Sequence, residues 1–252
     1  MNRTSIKTLG FALAAALPLL ASAQLTGNVS LTTNYKFRGQ DQDASKVKAV
    51  KPALQGGFDY TFGETGFYVG NWNSSVDWLT SNSLEMDFYG GYKFKAGEVD
   101  LDVGALTYAY PGNSLGNTTE LYGAATYGPF TAKYSHTVSK DYFGFAGHKL
   151  GTGRKGTNTG YLNFAFAQEV MPKVTLKAAV GFTRFASDIK DSGVPNYMDY
   201  SVGGAYDFGS GLSLGAAVVV GAVVSATTTA KVVTATLCTV ACTLLAASLA
   251  TK

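Results

Sequence analysis

The chain has 252 residues, with Lys+Arg 20 against Asp+Glu 17, a formal net charge of +3 and only 15% charged residues. That balance gives no strong field to recruit nucleic acid. Two histidines and two cysteines leave little material for a metal centre or nucleophilic chemistry. Glycine is abundant at 30 residues, with 15 Tyr and 15 Phe, a composition that suits barrel walls with tight turns and aromatic interfaces.

Arg3 and Lys7 precede a short apolar stretch from Leu9 to Leu20, and Ala21-Ser22-Ala23 fits a small-x-small cleavage site. Residues 1–23 therefore read as a cleaved export signal, too short in its apolar part to span a membrane comfortably. Residues 24–252 read as one domain.

A two-residue beat begins at once. Leu25, Val29, Leu31, Tyr35 and Phe37 alternate with Thr26, Asn28, Ser30, Thr32, Asn34 and Lys36. It returns at Leu84, Met86, Phe88, Tyr92 and Phe94, and again at Met198, Tyr200, Val202, Tyr206 and Phe208. Alternate side chains on a strand face opposite sides, so each segment has an oily and a wet face. Strands of about 10–13 residues are long enough to cross a bilayer at a tilt.

Turn signals divide the chain into twelve expected strands: 25–38, 53–62, 67–78, 84–95, 99–110, 118–127, 130–142, 160–170, 174–185, 197–208, 212–224 and 232–249. Every second connection is tight, as at Gly63-Glu64-Thr65-Gly66, Ala96-Gly97-Glu98, Gly128-Pro129, Met171-Pro172-Lys173 and Gly209-Ser210-Gly211. Longer polar connections lie between them. The expected fold is all-β, a transmembrane antiparallel up-and-down β-barrel of about 12 strands, outer-membrane type. Closure is required because an open sheet edge cannot face lipid. In 99–110 the oily phase shifts from Val99, Leu101 and Val103 to Leu106, Tyr108 and Tyr110, which calls for a bulge or for residues folded into the lumen.

Leu25-Thr-Gly-Asn-Val-Ser-Leu-Thr-Thr-Asn-Tyr-Lys-Phe-Arg-Gly39, Pro52-Ala-Leu-Gln-Gly-Gly-Phe-Asp-Tyr60 and Gly66-Phe-Tyr-Val-Gly-Asn-Trp72 resemble segments of the TorF-type porin family of bacterial outer-membrane proteins. Asp199-Tyr-Ser-Val-Gly-Gly-Ala-Tyr206 and Gly211-Leu-Ser-Leu-Gly215 continue the likeness, which runs from about residue 25 to 220. The resemblance implies an outer-membrane barrel acting as a porin, with no catalytic residue to carry over. The tail departs from it. No aromatic residue follows Phe208, and 225–252 is monotonous in Val, Ala and Thr. A closing strand, with Ala235, Ala241 and Leu245 outward, competes there with a helix and with a sequence error.

Chemistry is sparse. Cys238 and Cys242, without nearby His, make no metal site. Gly151-Thr-Gly153-Arg-Lys-Gly156 matches a dinucleotide-binding pattern but lies in a long loop between amphipathic strands, not in a βαβ unit. No cofactor and no catalytic residue are expected. His136 is the best base for a remote lipid-hydrolase alternative, with Ser135, Ser139 and Asn163 as neighbours, yet its phase is outward.

The charged positions of the wet face are the candidate pore lining: Lys93, Lys95, Glu85, Asp87, Asp100, Asp102, Lys133 and Lys177. Lys46, Lys48, Lys51, Lys149, Arg154 and Lys155 are the candidate pore-mouth residues. The expected function is passive diffusion of small hydrophilic solutes or ions, and the alternative is a non-conducting barrel with an adhesive or envelope-structural role. Expected partners are outer-membrane lipid, lipopolysaccharide and small polar solutes.

Overall fold

The structure, a computed structural model, describes residues 24–44, 50–223 and 231–246. The expected export signal, Lys46, Lys48 and the end of the tail lie outside the described residues. Twelve strands form the wall in an up-and-down order: β1 (Gln24–Thr32), β4 (Ala53–Thr61), β5 (Phe67–Ser75), β6 (Leu84–Ala96), β7 (Val99–Ala109), β8 (Thr118–Tyr127), β9 (Phe130–Thr137), β10 (Gly160–Met171), β11 (Val174–Arg184), β12 (Tyr197–Gly209), β13 (Leu212–Val223) and β14 (Lys231–Ala246). Two short strands, β2 (Lys36–Phe37) and β3 (Gln40–Asp41), form a separate hairpin.

Each wall strand is antiparallel to its neighbours, and β1 pairs with both β4 and β14, so the sheet closes on itself. Closure pairs backbone donors and acceptors that lipid cannot satisfy. Leu31, Leu54, Phe58, Phe67, Phe88, Leu121, Phe130, Phe164 and Phe208 are exposed on the outer face, an inversion of soluble packing that a lipid surround explains. The five expected tight turns join strands at one end. The long connections, 33–52, 76–83, 110–117, 138–159 and 185–196, gather at the other.

Three expectations need correction or resolution. The first wall strand ends at Thr32, not at Arg38, because the chain then turns into the barrel. Tyr35 packs edge-on against Trp72 at 5.6 Å, and Phe37 packs against Tyr108 and Phe143. Inside the barrel these rings bury apolar surface against one another. The phase shift in β7 is not a bulge. Its register with β6 runs unbroken from Met86↔Ala109 to Ala96↔Val99, so Leu106 and Tyr108 face inward, and Tyr110 follows them into the interior.

The tail is a strand and closes the barrel. Val220 pairs with Ala235. A register shift between Ala217 and Val219 then puts the remainder one residue out of step, aligning Leu244 with Val29 and Leu245 with Asn28.

The interior is packed mainly at the long-connection end. One cluster joins Tyr142, Ala146, Phe185 and Ile189, and a second joins Val76, Tyr108 and Tyr110 with Tyr35, Phe37 and Trp78 around them.

Candidate functional site

The candidate site is the interior of the barrel, and its lining changes from one end to the other. At the tight-turn rim Lys95 pairs with Asp100 at 2.9 Å, both side chains largely exposed. Further in, β6 and β7 place Lys93 opposite Asp102. The Lys93 ammonium lies 4.6 Å from the centre of the Tyr68 ring, and the Tyr68 hydroxyl donates to Asp102 at 2.7 Å while hydrogen-bonding Tyr122. Lys133 sits 4.1 Å over the Tyr122 ring, and Tyr89 donates to Asp59 at 2.6 Å. This middle level is a belt of tyrosines bearing charges of both signs. Cations over ring faces keep their charge partly satisfied without a paired carboxylate.

Glu85 and Asp87 face inward as the alternation requires, but they are buried. Glu85 accepts hydrogen bonds from Tyr35 at 2.8 Å and from Tyr110. Asp87 Oδ1 has no hydrogen-bond partner among the described residues. Lys177 shares the inward phase, pairing with Gly203 on β12 and Ala167 on β10, and is exposed.

The densest cluster is one the alternation alone did not reveal. The β2–β3 hairpin turns through Arg38 and Gly39, both with positive φ (48° and 72°), in the sense that suits a two-residue hairpin. A Cβ on Gly39 would lie 2.7 Å from Asp199 Cβ and 2.9 Å from Gly221 Cα, so only glycine lets the tip approach the opposite wall. The turn aims Arg38 across the interior. Its Nη1 and Nη2 donate to Glu120 Oε1 and Oε2 at 2.9 and 2.7 Å, a two-point contact that fixes angle as well as distance. The guanidinium also lies 4.2 Å from the Tyr161 ring centre and 4.8 Å from that of Phe37. Tyr161 in turn donates to Asp199 at 3.1 Å.

The base of the same segment is tied down separately. Lys51, expected at an open mouth, is instead buried, donating to Asp41 Oδ2 at 3.0 Å and to the Asp43 carbonyl at 2.9 Å. Lys36 Nζ lies 3.0 Å from the same Asp41 oxygen, an ionic contact without hydrogen-bond geometry. Burial pushes the Asp41 carboxyl upward, but the contacts from Lys51 and Lys36 prevail and hold it below its ordinary value.

Of the remaining expected mouth residues, Lys149 is exposed and donates to Ser114, and Arg154 is half-buried. Lys155 lies on the outer wall, lining a groove with His136. His136 itself is bonded to Tyr134 Oη and Asn158 Oδ1, each at 3.2 Å, and points away from the inward Ser135. Gly151 and Gly153 adopt left-handed turns in an irregular connection that leads into β10. Among the described residues no group of three His, Cys, Asp or Glu is placed to hold a metal ion.

The chain belongs to the bacterial family described as "Bacterial protein of unknown function (Gcw_chp)", whose profile matches residues 20–248. No curated protein matches it. Among solved structures it is similar to the KdgM porin in complex with disordered oligogalacturonate, at 10% identity and a TM-score of 0.52, covering 88% of this chain and 98% of that one. It is also similar to the NanC porin, at 9% identity and a TM-score of 0.52, over 87% and 97% of the two chains. At these identities the likeness is one of fold.

Proposed function

We propose that the protein is an outer-membrane porin-like channel for passive diffusion of small hydrophilic solutes or ions, in line with the sequence resemblance to TorF-type porins. The observation that carries this reading is the inward face of a closed barrel. It is polar and two-signed from the Lys95–Asp100 rim through Lys93, Asp102 and Lys133 up to the Arg38–Glu120 pair. A wall that served only as scaffold has no need of cations poised over tyrosine rings along its axis. Two barrels of the same fold, KdgM and NanC, are porins, and this supports the reading.

In this reading the long connections face the exterior and the tight turns the periplasm. The segment 33–44 is the constriction, folded across the passage and clasped to β8 by Arg38. The oligogalacturonate bound by KdgM is not carried over to this chain. Acids line this interior alongside the cations, so the solute is small and polar with no strong demand for negative charge. Passive diffusion involves no catalytic step and no cofactor.

A second reading has one observation in its favour. The filled long-connection end suits a non-conducting envelope barrel. Liposome swelling separates the two: refolded protein admits small sugars and excludes large ones if it is a channel. No swelling with any solute, from protein that migrates as a folded barrel, overturns the proposal.

A further inference from the structure

Outside the lumen, β9, β10 and β11 carry a groove of about 1120 Å³ on the outer wall, just below the long connections. It opens where the wall lacks a side chain. Gly160 pairs with His136 on one side and Arg184 on the other, all three on the outward phase. A Cβ there would sit 2.7 Å from Tyr134 Oη, so the Tyr134 ring lies across the gap as its floor. The lower lining is apolar, with Leu162 and Phe182.

The upper lining is cationic. Lys140, Lys155, Arg184 and Lys190 converge on the groove from two strand-end connections and β11, and all four are exposed. None of their charged heads makes an ion pair or hydrogen bond among the described residues. The one acid in the lining, Asp188, accepts the Lys155 backbone N–H at 3.0 Å. Four cations to one acid is an imbalance that the interior does not show.

We infer that this groove binds a phosphorylated glycolipid of the outer leaflet, with acyl chain against Leu162 and Phe182 and phosphate among the four cations. Charge complementarity and depth argue for that occupant together. The cations sit at the level where the wall passes from lipid-facing rings to polar connections, where lipid phosphates lie. Arg and Lys converging from separate elements suit a multiply charged phosphate better than a single zwitterionic headgroup. This inference goes beyond transport and does not depend on conduction.

The test is native mass spectrometry of the refolded full barrel in detergent, with diphosphoryl lipid A, monophosphoryl lipid A, phosphatidylglycerol or inorganic phosphate added at equal concentration. One diphosphoryl lipid A is expected to stay bound, at least tenfold more than phosphatidylglycerol, with the monophosphoryl form between them. The variant K140Q/K155Q/R184Q/K190Q is expected to lose that retention tenfold or more. All four side chains are exposed and unpaired, so the variant folds, as heat-modifiable migration would verify. A control removing as much charge elsewhere, K93Q/K95Q/K173Q/K177Q, is expected to retain the lipid. Equal retention by the groove variant, equal loss in the control, or displacement by inorganic phosphate would each overturn the inference.

Discussion

Arg38 and Glu120 stand 82 residues apart in sequence and meet across the barrel interior in a two-point ion pair, with only 7% and 2% of their side chains exposed. Removing one partner leaves the other charge buried and unpaired, a change that costs about 3–5 kcal/mol. Arg38→Ala and Glu120→Ala are each expected to lose stability on that order. The paired replacement Arg38→Met/Glu120→Leu should lose far less, since no orphan charge remains. Urea unfolding in lipid vesicles, followed by the fluorescence of Trp72 and Trp78, measures both.

Acid should loosen the same segment from its base. The Asp41 carboxyl lies below its ordinary value when folded, so its contribution is fully present above the ordinary carboxylate pKa of about 4. That contribution is lost as pH falls through the depressed value. The protection factor across residues 35–44, which is the exchange rate corrected for its intrinsic pH dependence, is expected to fall below pH 4, and that of Asp41→Asn to be low already at pH 7. Equal protection factors at pH 3 and pH 7 would count against the clamp.

Gly57 faces inward on β4, directly opposite Trp72 of its antiparallel neighbour β5. A Cβ there would collide with the Asn71 carbonyl and lie 2.8 Å from Trp72 Cα. Gly57→Ala therefore forces the strands apart, at about 1–3 kcal/mol by the measure of overpacked interiors. Gly123, where added bulk meets nothing within 4 Å, is the control, and Gly123→Ala should be close to neutral. Equal urea midpoints for the two variants would contradict the close approach of β4 and β5 at Gly57.

Ion selectivity should follow depth. Lys93 and Lys133 lie over tyrosine rings inside the barrel, whereas Lys95 sits at an exposed rim already paired with Asp100. Lys93→Glu and Lys133→Glu should move the reversal potential in a salt gradient toward cations. Lys95→Glu should move it less, since exposed charges are screened within about 10 Å at 0.1 M salt. A larger shift from Lys95→Glu would remove the inner pair from the solute path.

The wall was legible because a lipid-facing strand must alternate, and Leu84 to Phe94 or Met198 to Phe208 can satisfy that in only one phase. Interior contents were not. Tyr35 and Phe37 keep the beat after the chain has left the wall, so alternation alone extends the first strand to Arg38. The readable sign was Arg38-Gly39, two residues of turn between Phe37 and Gln40, followed by Asp41, Asp43 and Lys51. Glu120 is a lone acid in Thr118-Thr-Glu-Leu-Tyr122, and nothing local distinguishes it from a solvated lumen residue. Its partner lies on a distant hairpin, and alternation carries no information on contacts across a lumen. The closing strand was hardest, since Val, Ala and Thr suit either side of a wall and β14 changes phase at a register shift.

The central claim is that Arg38, clasped to Glu120, holds a segment across a conducting barrel. Single-channel conductance in planar bilayers tests it most directly, comparing wild type with Arg38→Met/Glu120→Leu, which removes the clasp without stranding a charge. Small, steady current steps are expected from the wild type and larger or noisier ones from the double variant. No current from either protein, each verified as a folded barrel, would contradict the account.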